Sequence, residues 1–227
     1  MTLPPPRPLP DNFRMKNFQA IIFDMDGVIV DSEPRHERAF REIFQELGYG
    51  DSHGMDFPAY YGRSDQELWH DFVAKHQPPQ PLAELTAWKQ NRFLEIIRAE
   101  QPLFAGLPDL VEKLSRRCPL AVASGSLHPV IDAVLEMKNL RRFFPVVVSV
   151  QDVARGKPAP DVFLRAAELL GVPAAACRVI EDSAAGVAAA RAAGMPVIAI
   201  TNTLSAEKLT HATHVVRTYA EIEALLL

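Results

Sequence analysis

Two kinds of apolar pattern alternate along the chain. Short continuous apolar runs stand at AIIFD (Ala20 to Asp24), LAVAS from Leu120, VVVSV from Val146, RVIE from Arg178 and PVIAI from Pro196, with a weaker HVV from His214. Runs this short and without polar alternation read as strands buried on both faces of a parallel sheet, HVV as an edge. Between the later runs apolar residues recur at helical spacing over Asp109 to Arg116, Pro129 to Met137, Asp161 to Leu170 and Ser183 to Ala193. The third stretch carries Phe163, Ala166, Ala167 and Leu170 on one stripe, with Gly171 just past its end as a helix stop. Strands alternating with helices predict an α/β fold, a doubly wound parallel sheet covered on both faces.

One gap breaks the alternation. Asp31 to Leu103 is far longer than a simple crossover and holds no convincing strand. Its period is helical: Phe40, Ile43, Phe44 and Leu47 form a stripe before Gly48, and further helices start near Asp65 and run from about Leu82 to Glu100. QPPQP at Gln77 to Pro81 separates the two halves. The segment predicts an all-helical cap inserted after the first strand. The expected organisation is a Pro-rich extension over 1–17, a catalytic core over 18–32 and 104–227, and the cap over 33–103. The extension carries five of the 19 prolines and reads as polyproline-like or disordered, with Met15 a candidate natural start. No internal repeat is found.

Composition works by exclusion. Over 227 residues, 48% apolar and 23% charged side chains describe a chain that folds around a core of its own. Lys plus Arg number 24 against 28 Asp plus Glu, a net charge of −4, so no positive field favours nucleic acid or an anionic membrane. No apolar run reaches the roughly 18 residues of a membrane helix; Arg191 interrupts the longest Ala-rich stretch, Ala184 to Ile200. Cys118 and Cys177 match no metal-ligand spacing and read as reduced thiols of a cytoplasmic protein. No obligate protein partner is evident.

The candidate chemistry lies where such a sheet places its ligands, at the carboxyl ends of strands. Four stretches stand there: FDMDGVIVDS, ASGS, GKPAPD and EDSAAG. They supply Asp24 and Asp26, the hydroxyl of Ser124, the ammonium of Lys157, and the acidic pair Glu181 and Asp182. Four converging carboxylates repel one another, each pair at about 4 Å by about 4 kcal/mol at an effective dielectric of about 20, so a cation is expected among them. Oxygen ligands with room for substrate suit Mg²⁺. Mg²⁺, Lys157, Ser124 and loop amides are together what a phosphoryl group needs to spread its charge. One aspartate can then attack phosphorus and the other move protons.

With these four motifs in this order, the chain resembles the haloacid dehalogenase-like hydrolases over about residues 18 to 227, in the helical-cap subgroup that includes β-phosphoglucomutase and many small-molecule phosphatases. The resemblance implies a Rossmann-like core, Asp24 as nucleophile and Mg²⁺ ligand, and Asp26 as acid/base whose backbone carbonyl also binds the metal. It implies Asp182 as a further metal carboxylate, Glu181 as a direct or indirect ligand, Ser124 and Lys157 as phosphoryl clamps, and Gly125 and Ser126 as neighbours of the phosphate. In the cap, GRSDQE (Gly62 to Glu67) resembles a specificity loop in which Arg63 is the candidate substrate contact, and His36 matches a β-phosphoglucomutase residue beside the acid/base. Trp69 and Trp88 are expected in the core, and the remaining histidines in structural roles.

The expected function is a Mg²⁺-dependent phosphatase of a small phosphorylated metabolite, a sugar or sugar-acid phosphate, acting through an aspartyl phosphate. A hexose phosphate mutase is the alternative. In β-phosphoglucomutase the cap loop has Lys just before the Gly and Arg three after it, where this chain has Tyr61 and Asp65. That departure weakens a second-phosphate site, whereas His36 favours the mutase.

Overall fold

In the computed structural model, residues 18–62 and 64–227 are described; the Pro-rich extension and Arg63 lie outside them. Six parallel strands form one sheet: β1 (Ala20–Phe23), β2 (Leu120–Ala123), β3 (Val146–Val148), β4 (Cys177–Glu181), β5 (Val197–Ile200) and β6 (His214–Val216). Their order is β3-β2-β1-β4-β5-β6. All the runs identified in the sequence are present, and HVV is an edge strand as expected.

Strand alternation divides the core. Ile21 and Phe23 of β1 pack into one apolar cluster with Leu110, Ile131 and Ile222, from helices α4 (Leu107–Ser115), α5 (His128–Glu136) and α8 (Tyr219–Leu226). Ala20 and Ile22 face the other way, against Phe163 and Ala166 of α6 (Asp161–Leu170) and Val187 and Ala190 of α7 (Ala184–Ala192). Both faces of the strand are therefore buried, the physical reason its sequence is continuously apolar. The chain builds β1, β2 and β3 outward on one side, then returns to place β4 on the other side of β1. The carboxyl ends of β1 and β4 flank that reversal, where open α/β sheets hold their ligands.

Between β1 and β2 lie the helices α1 (Glu33–Glu46), α2 (Asp65–His76) and α3 (Leu82–Glu100), with two short 3₁₀ turns between α1 and α2 and no strand among the described residues. They own a separate, largely aromatic core of Phe40, Phe44, Trp69 and Phe72 with Leu85. The Phe44 and Phe72 rings stack with centroids 4.2 Å apart. Trp69 is fully buried and Trp88 packs at the cluster's edge. Helix α3 ties this cap to the core, because Phe93, Ile96 and Ile97 toward its end join the cluster on the β1 face. Cys118 and Cys177 are both free thiols, pushed up to about 11 by burial. Among the described residues no helix is long and apolar enough to cross a membrane.

Candidate active site

The site begins with a parallel register. Phe23 pairs with Ile180, and the amide of Asp24 donates to the Ile180 carbonyl at 2.9 Å, extending the ladder by one residue. Asp24 thereby comes level with Glu181, the last residue of β4, and Asp182 follows. One carboxylate oxygen from each of Asp24, Glu181 and Asp182 lies within 4.8 Å of the other two, and all three residues are buried. Lys157, from the loop before α6, donates to Asp24 Oδ1 at 2.6 Å and to Glu181 Oε1 at 2.7 Å.

Glu181 is held on both oxygens. Its Oε2 accepts from the amides of Asp182 and Ser183, each at 2.8 Å, and from Ser183 Oγ at 3.0 Å. Ser183 in turn caps α7 by accepting from the Gly186 amide at 3.0 Å. A Cβ on Gly186 would fall 1.6 Å from Glu181 Oε1, so the first turn of α7 rests on the carboxylate only because position 186 lacks a side chain.

One ammonium faces three carboxylates in a desolvated pocket. Burial pushes Asp24 up to about 7, helped by repulsion from Glu181 and Asp26 and opposed by Lys157. Burial, with Glu181 and Asp24 beside it, holds Asp182 well above the ordinary carboxylate range. Burial would lower Lys157, but Asp24 and Glu181 outweigh it and keep the group firmly charged. An all-oxygen donor set that resists ionisation by itself is the chemistry a hard divalent cation fits.

Asp26 departs from the expected four-carboxylate cluster. The strand ends at Phe23 and the chain turns at Gly27, with φ of 72°, so the carboxylates of Asp24 and Asp26 do not share a strand face. The Asp26 carboxylate leaves the acidic trio for hydroxyls: Oδ2 accepts from Ser126 Oγ at 2.7 Å and from Ser124 Oγ at 3.5 Å. Its Oδ1 is 3.7 Å from Nε2 of His36. Burial would raise Asp26, but His36 and Ser126 outweigh it and push it down to about 2. The Ser124–Ser126 loop is itself braced, since the Ser126 amide donates to Ser124 Oγ at 2.9 Å and Ser149 Oγ to the Ser126 carbonyl at 2.7 Å. Between them, a Cβ on Gly125 would meet nothing within 4 Å.

The cap reaches this centre at two places. Its loop rests on the core, where a Cβ on Gly62 would lie 3.5 Å from that of Ser183, and the Gly62 amide donates to Glu33 Oε1 at 2.7 Å. His36 stacks on Phe93 with centroids 3.8 Å apart. Its Nδ1 lies 2.5 Å from Nζ of Lys89, which also donates to Asp65 Oδ2 at 2.5 Å. Nδ1 thus faces Lys89 and Nε2 faces Asp26.

Lys89 was missed in the sequence. Its signal is its register: Leu85, Lys89 and Phe93 are spaced by four along the buried stripe of α3, and the lysine is fully buried. Thr203 and Asn202 carry no such signal. The Thr203 hydroxyl bonds Asp182, and Asn202 Nδ2 donates to the Gly27 carbonyl at 2.8 Å. The histidines expected to be structural include His53, whose Nδ1 accepts from the Met55 amide at 2.9 Å, and His128, which pairs with Asp152 at 3.0 Å. Arg63 falls outside the described residues.

The sequence pattern of the haloacid dehalogenase-like hydrolases matches residues 18–194. Fructose-1-phosphate phosphatase YqaB of Escherichia coli is 34% identical over 190 residues, covering 81% of this chain and 96% of its own. Hexitol phosphatase B of Escherichia coli is 32% identical over 186 residues, 80% of this chain and 82% of its own. Among solved structures, CbbY from Rhodobacter sphaeroides in complex with xylulose-(1,5)bisphosphate superposes with a TM-score of 0.79 at 27% identity, covering 92% of this chain and 100% of that one.

Proposed function

The chain belongs to the haloacid dehalogenase-like hydrolases, and we propose that within that family it is a Mg²⁺-dependent phosphatase of a sugar phosphate, working through an aspartyl phosphate. Phosphoric monoester hydrolysis is the activity of the named phosphatases it resembles. The observation that carries the reading is the division between two neighbouring aspartates. Asp24 lies with Lys157 among the acidic trio, and Asp26 lies apart from it against Ser126 and His36.

In this reading an Asp24 oxygen attacks phosphorus and the bond from phosphorus to the sugar oxygen breaks. Asp26 gives that oxygen its proton, so the sugar leaves as an alcohol. Asp26 is ionised in the free protein; the entering phosphoryl dianion raises its proton affinity and loads it for this step. A water then loses its proton to Asp26 and attacks the aspartyl phosphate, releasing inorganic phosphate and restoring Asp24. Ser124, Ser126 and Lys157 hold the phosphoryl oxygens, with Gly125 giving them open approach.

Asp24 and Asp182, with the backbone carbonyl of Asp26, would hold Mg²⁺. Glu181 supports them from behind, because both its oxygens are engaged by Lys157 and the loop amides. Bound there, the cation would neutralise the acidic pocket and withdraw charge from the phosphoryl group.

The test is phosphate release from hexose, pentose, hexitol and sugar-acid phosphates, each with Mg²⁺ and with EDTA. Mg²⁺-dependent turnover of at least one is expected. Release of phosphate that is indifferent to EDTA, or none from any substrate including p-nitrophenyl phosphate, would sink the proposal.

A further inference from the structure

We propose that the ion pair of Asp65 with the fully buried Lys89 makes the cap a charge filter, admitting monophosphates whose organic part is an uncharged polyol and turning away those with a second phosphate or a carboxylate. This rests on the phosphatase reading and narrows its substrate class.

The filter follows from how the cap's charges are spent. Lys89 is fully buried beneath the rings of Phe40 and Phe93, its Nζ 4.6 and 5.0 Å from their centroids. It is joined to the reaction centre through His36, whose Nε2 faces Asp26. A substrate anion entering beneath the cap would look to this ammonium for charge. Asp65 already holds it at 2.5 Å. Moving Lys89 to a substrate would leave the half-buried Asp65 carboxylate without its partner, and the loss of the old pair offsets the gain of the new one.

The remaining described cations near His36 are also engaged. Arg35 is held by Asp31 and Glu100, Arg38 by Glu42 and Glu100, and Arg41 by Glu37. Among the described residues, what these surroundings offer beyond the Asp65–Lys89 pair is carboxylate: Glu33 and Asp26, close enough for the charge of one to act on the other. A second anion would meet repulsion from that group, strengthened by burial. Hydroxyl groups carry no such penalty, and carboxylate oxygens are acceptors for the protons a polyol donates. The difference decides between relatives with different ligands, for the chain resembles both a fructose-1-phosphate phosphatase and a protein solved with a bisphosphate.

The experiment compares kcat/KM, with Mg²⁺, for fructose 1-phosphate and sorbitol 6-phosphate against fructose 1,6-bisphosphate, xylulose 1,5-bisphosphate and 2-phosphoglycolate. p-Nitrophenyl phosphate serves as the control for the core chemistry. At least a tenfold preference for the uncharged polyols is expected. In Asp65→Asn, which frees Lys89, the ratio of bisphosphate to monophosphate kcat/KM should rise at least tenfold, mainly through a lower KM for the bisphosphate. If p-nitrophenyl phosphate is not hydrolysed, the phosphatase reading itself fails. If it is hydrolysed and a bisphosphate or 2-phosphoglycolate is used as well as the polyol phosphates, the filter is wrong while the phosphatase stands. An unchanged ratio in folded Asp65→Asn also overturns it, and if that variant does not fold, the wild-type preference decides alone.

Discussion

Gly27 and Asp182 occupy the same space: a Cβ on Gly27 would lie 1.7 Å from Asp182 Oδ2 and 2.6 Å from Thr203 Oγ1. The turn after the aspartate pair and the carboxylate after β4 are thus fitted to one another through a missing side chain. Gly27 also has φ of 72°, a conformation that L side chains adopt at a cost. Gly27→Ala should lower stability by about 1–3 kcal/mol and, by displacing Asp182, weaken Mg²⁺ binding at least tenfold. Thermal melts and calorimetric Mg²⁺ titration measure the two effects separately. Undiminished Mg²⁺ affinity in the folded variant would detach this turn from the metal site.

Asp24→Asn is expected to abolish turnover while preserving the fold. The amide keeps the shape of the carboxylate but is a poor nucleophile and brings no charge to the cation. Since Asp24 carries a proton affinity raised to about 7, replacing it with a neutral group also relieves repulsion, and the metal-free melting temperature should hold or rise. Appreciable steady-state phosphate release from purified, folded Asp24→Asn would remove Asp24 from the nucleophile's place.

The core was legible in the sequence because burial on both faces forces continuous apolar runs, and parallel pairing sends every strand's carboxyl end to the same edge. That logic brought Asp24, Lys157, Glu181 and Asp182 together without coordinates. It failed at Asp26, where proximity in sequence suggested one cluster and the turn at Gly27 produced two environments. It failed again at Lys89, whose role depends on a partner 24 residues away in sequence, Asp65, and on a helix register that reads as core. Thr203 and Asn202 were invisible for a related reason: they reach the site from the loop after β5, through one side-chain contact each.

Asp182 gives a prediction with a definite sign. Asp24 and Asp182 both bind protons more tightly in the folded protein than their ordinary value of 3.8. Between about pH 4 and pH 7 the folded state therefore holds more protons than the unfolded one, and these two groups make stability fall as pH rises. Asp26, pushed down to about 2, acts below that window. His53 and His214, lowered by burial, act in the opposite sense, so the comparison must be with a variant. Metal-free Asp182→Asn should match wild type near pH 4 and exceed it in melting temperature at pH 7 to 8, while gaining less from added Mg²⁺. A variant that is less stable than wild type at pH 8, yet still gains fully from Mg²⁺, would make Asp182 structural.

Lys157 separates the roles of counter-ion and clamp. Its ammonium touches Asp24 and Glu181 at 2.6 and 2.7 Å with 11% of its side chain exposed, so Lys157→Met keeps most of the volume and deletes the only cation in contact with the trio among the described residues. Removing one partner from a buried pair costs about 3–5 kcal/mol, and that loss should appear in metal-free protein at pH 8. It should shrink toward pH 5, because Asp24 and Asp182 then take up protons and no longer need neutralising. Mg²⁺ at pH 8 should restore much of the stability, since it supplies the positive charge that was lost. Turnover should stay low in the same samples if Lys157 also grips the phosphoryl oxygens, because the restored charge sits on the carboxylates and the phosphoryl group still lacks its donor. Melting curves and phosphate release measured together on one preparation make the distinction, and recovery of both stability and kcat with Mg²⁺ would reduce Lys157 to a counter-ion.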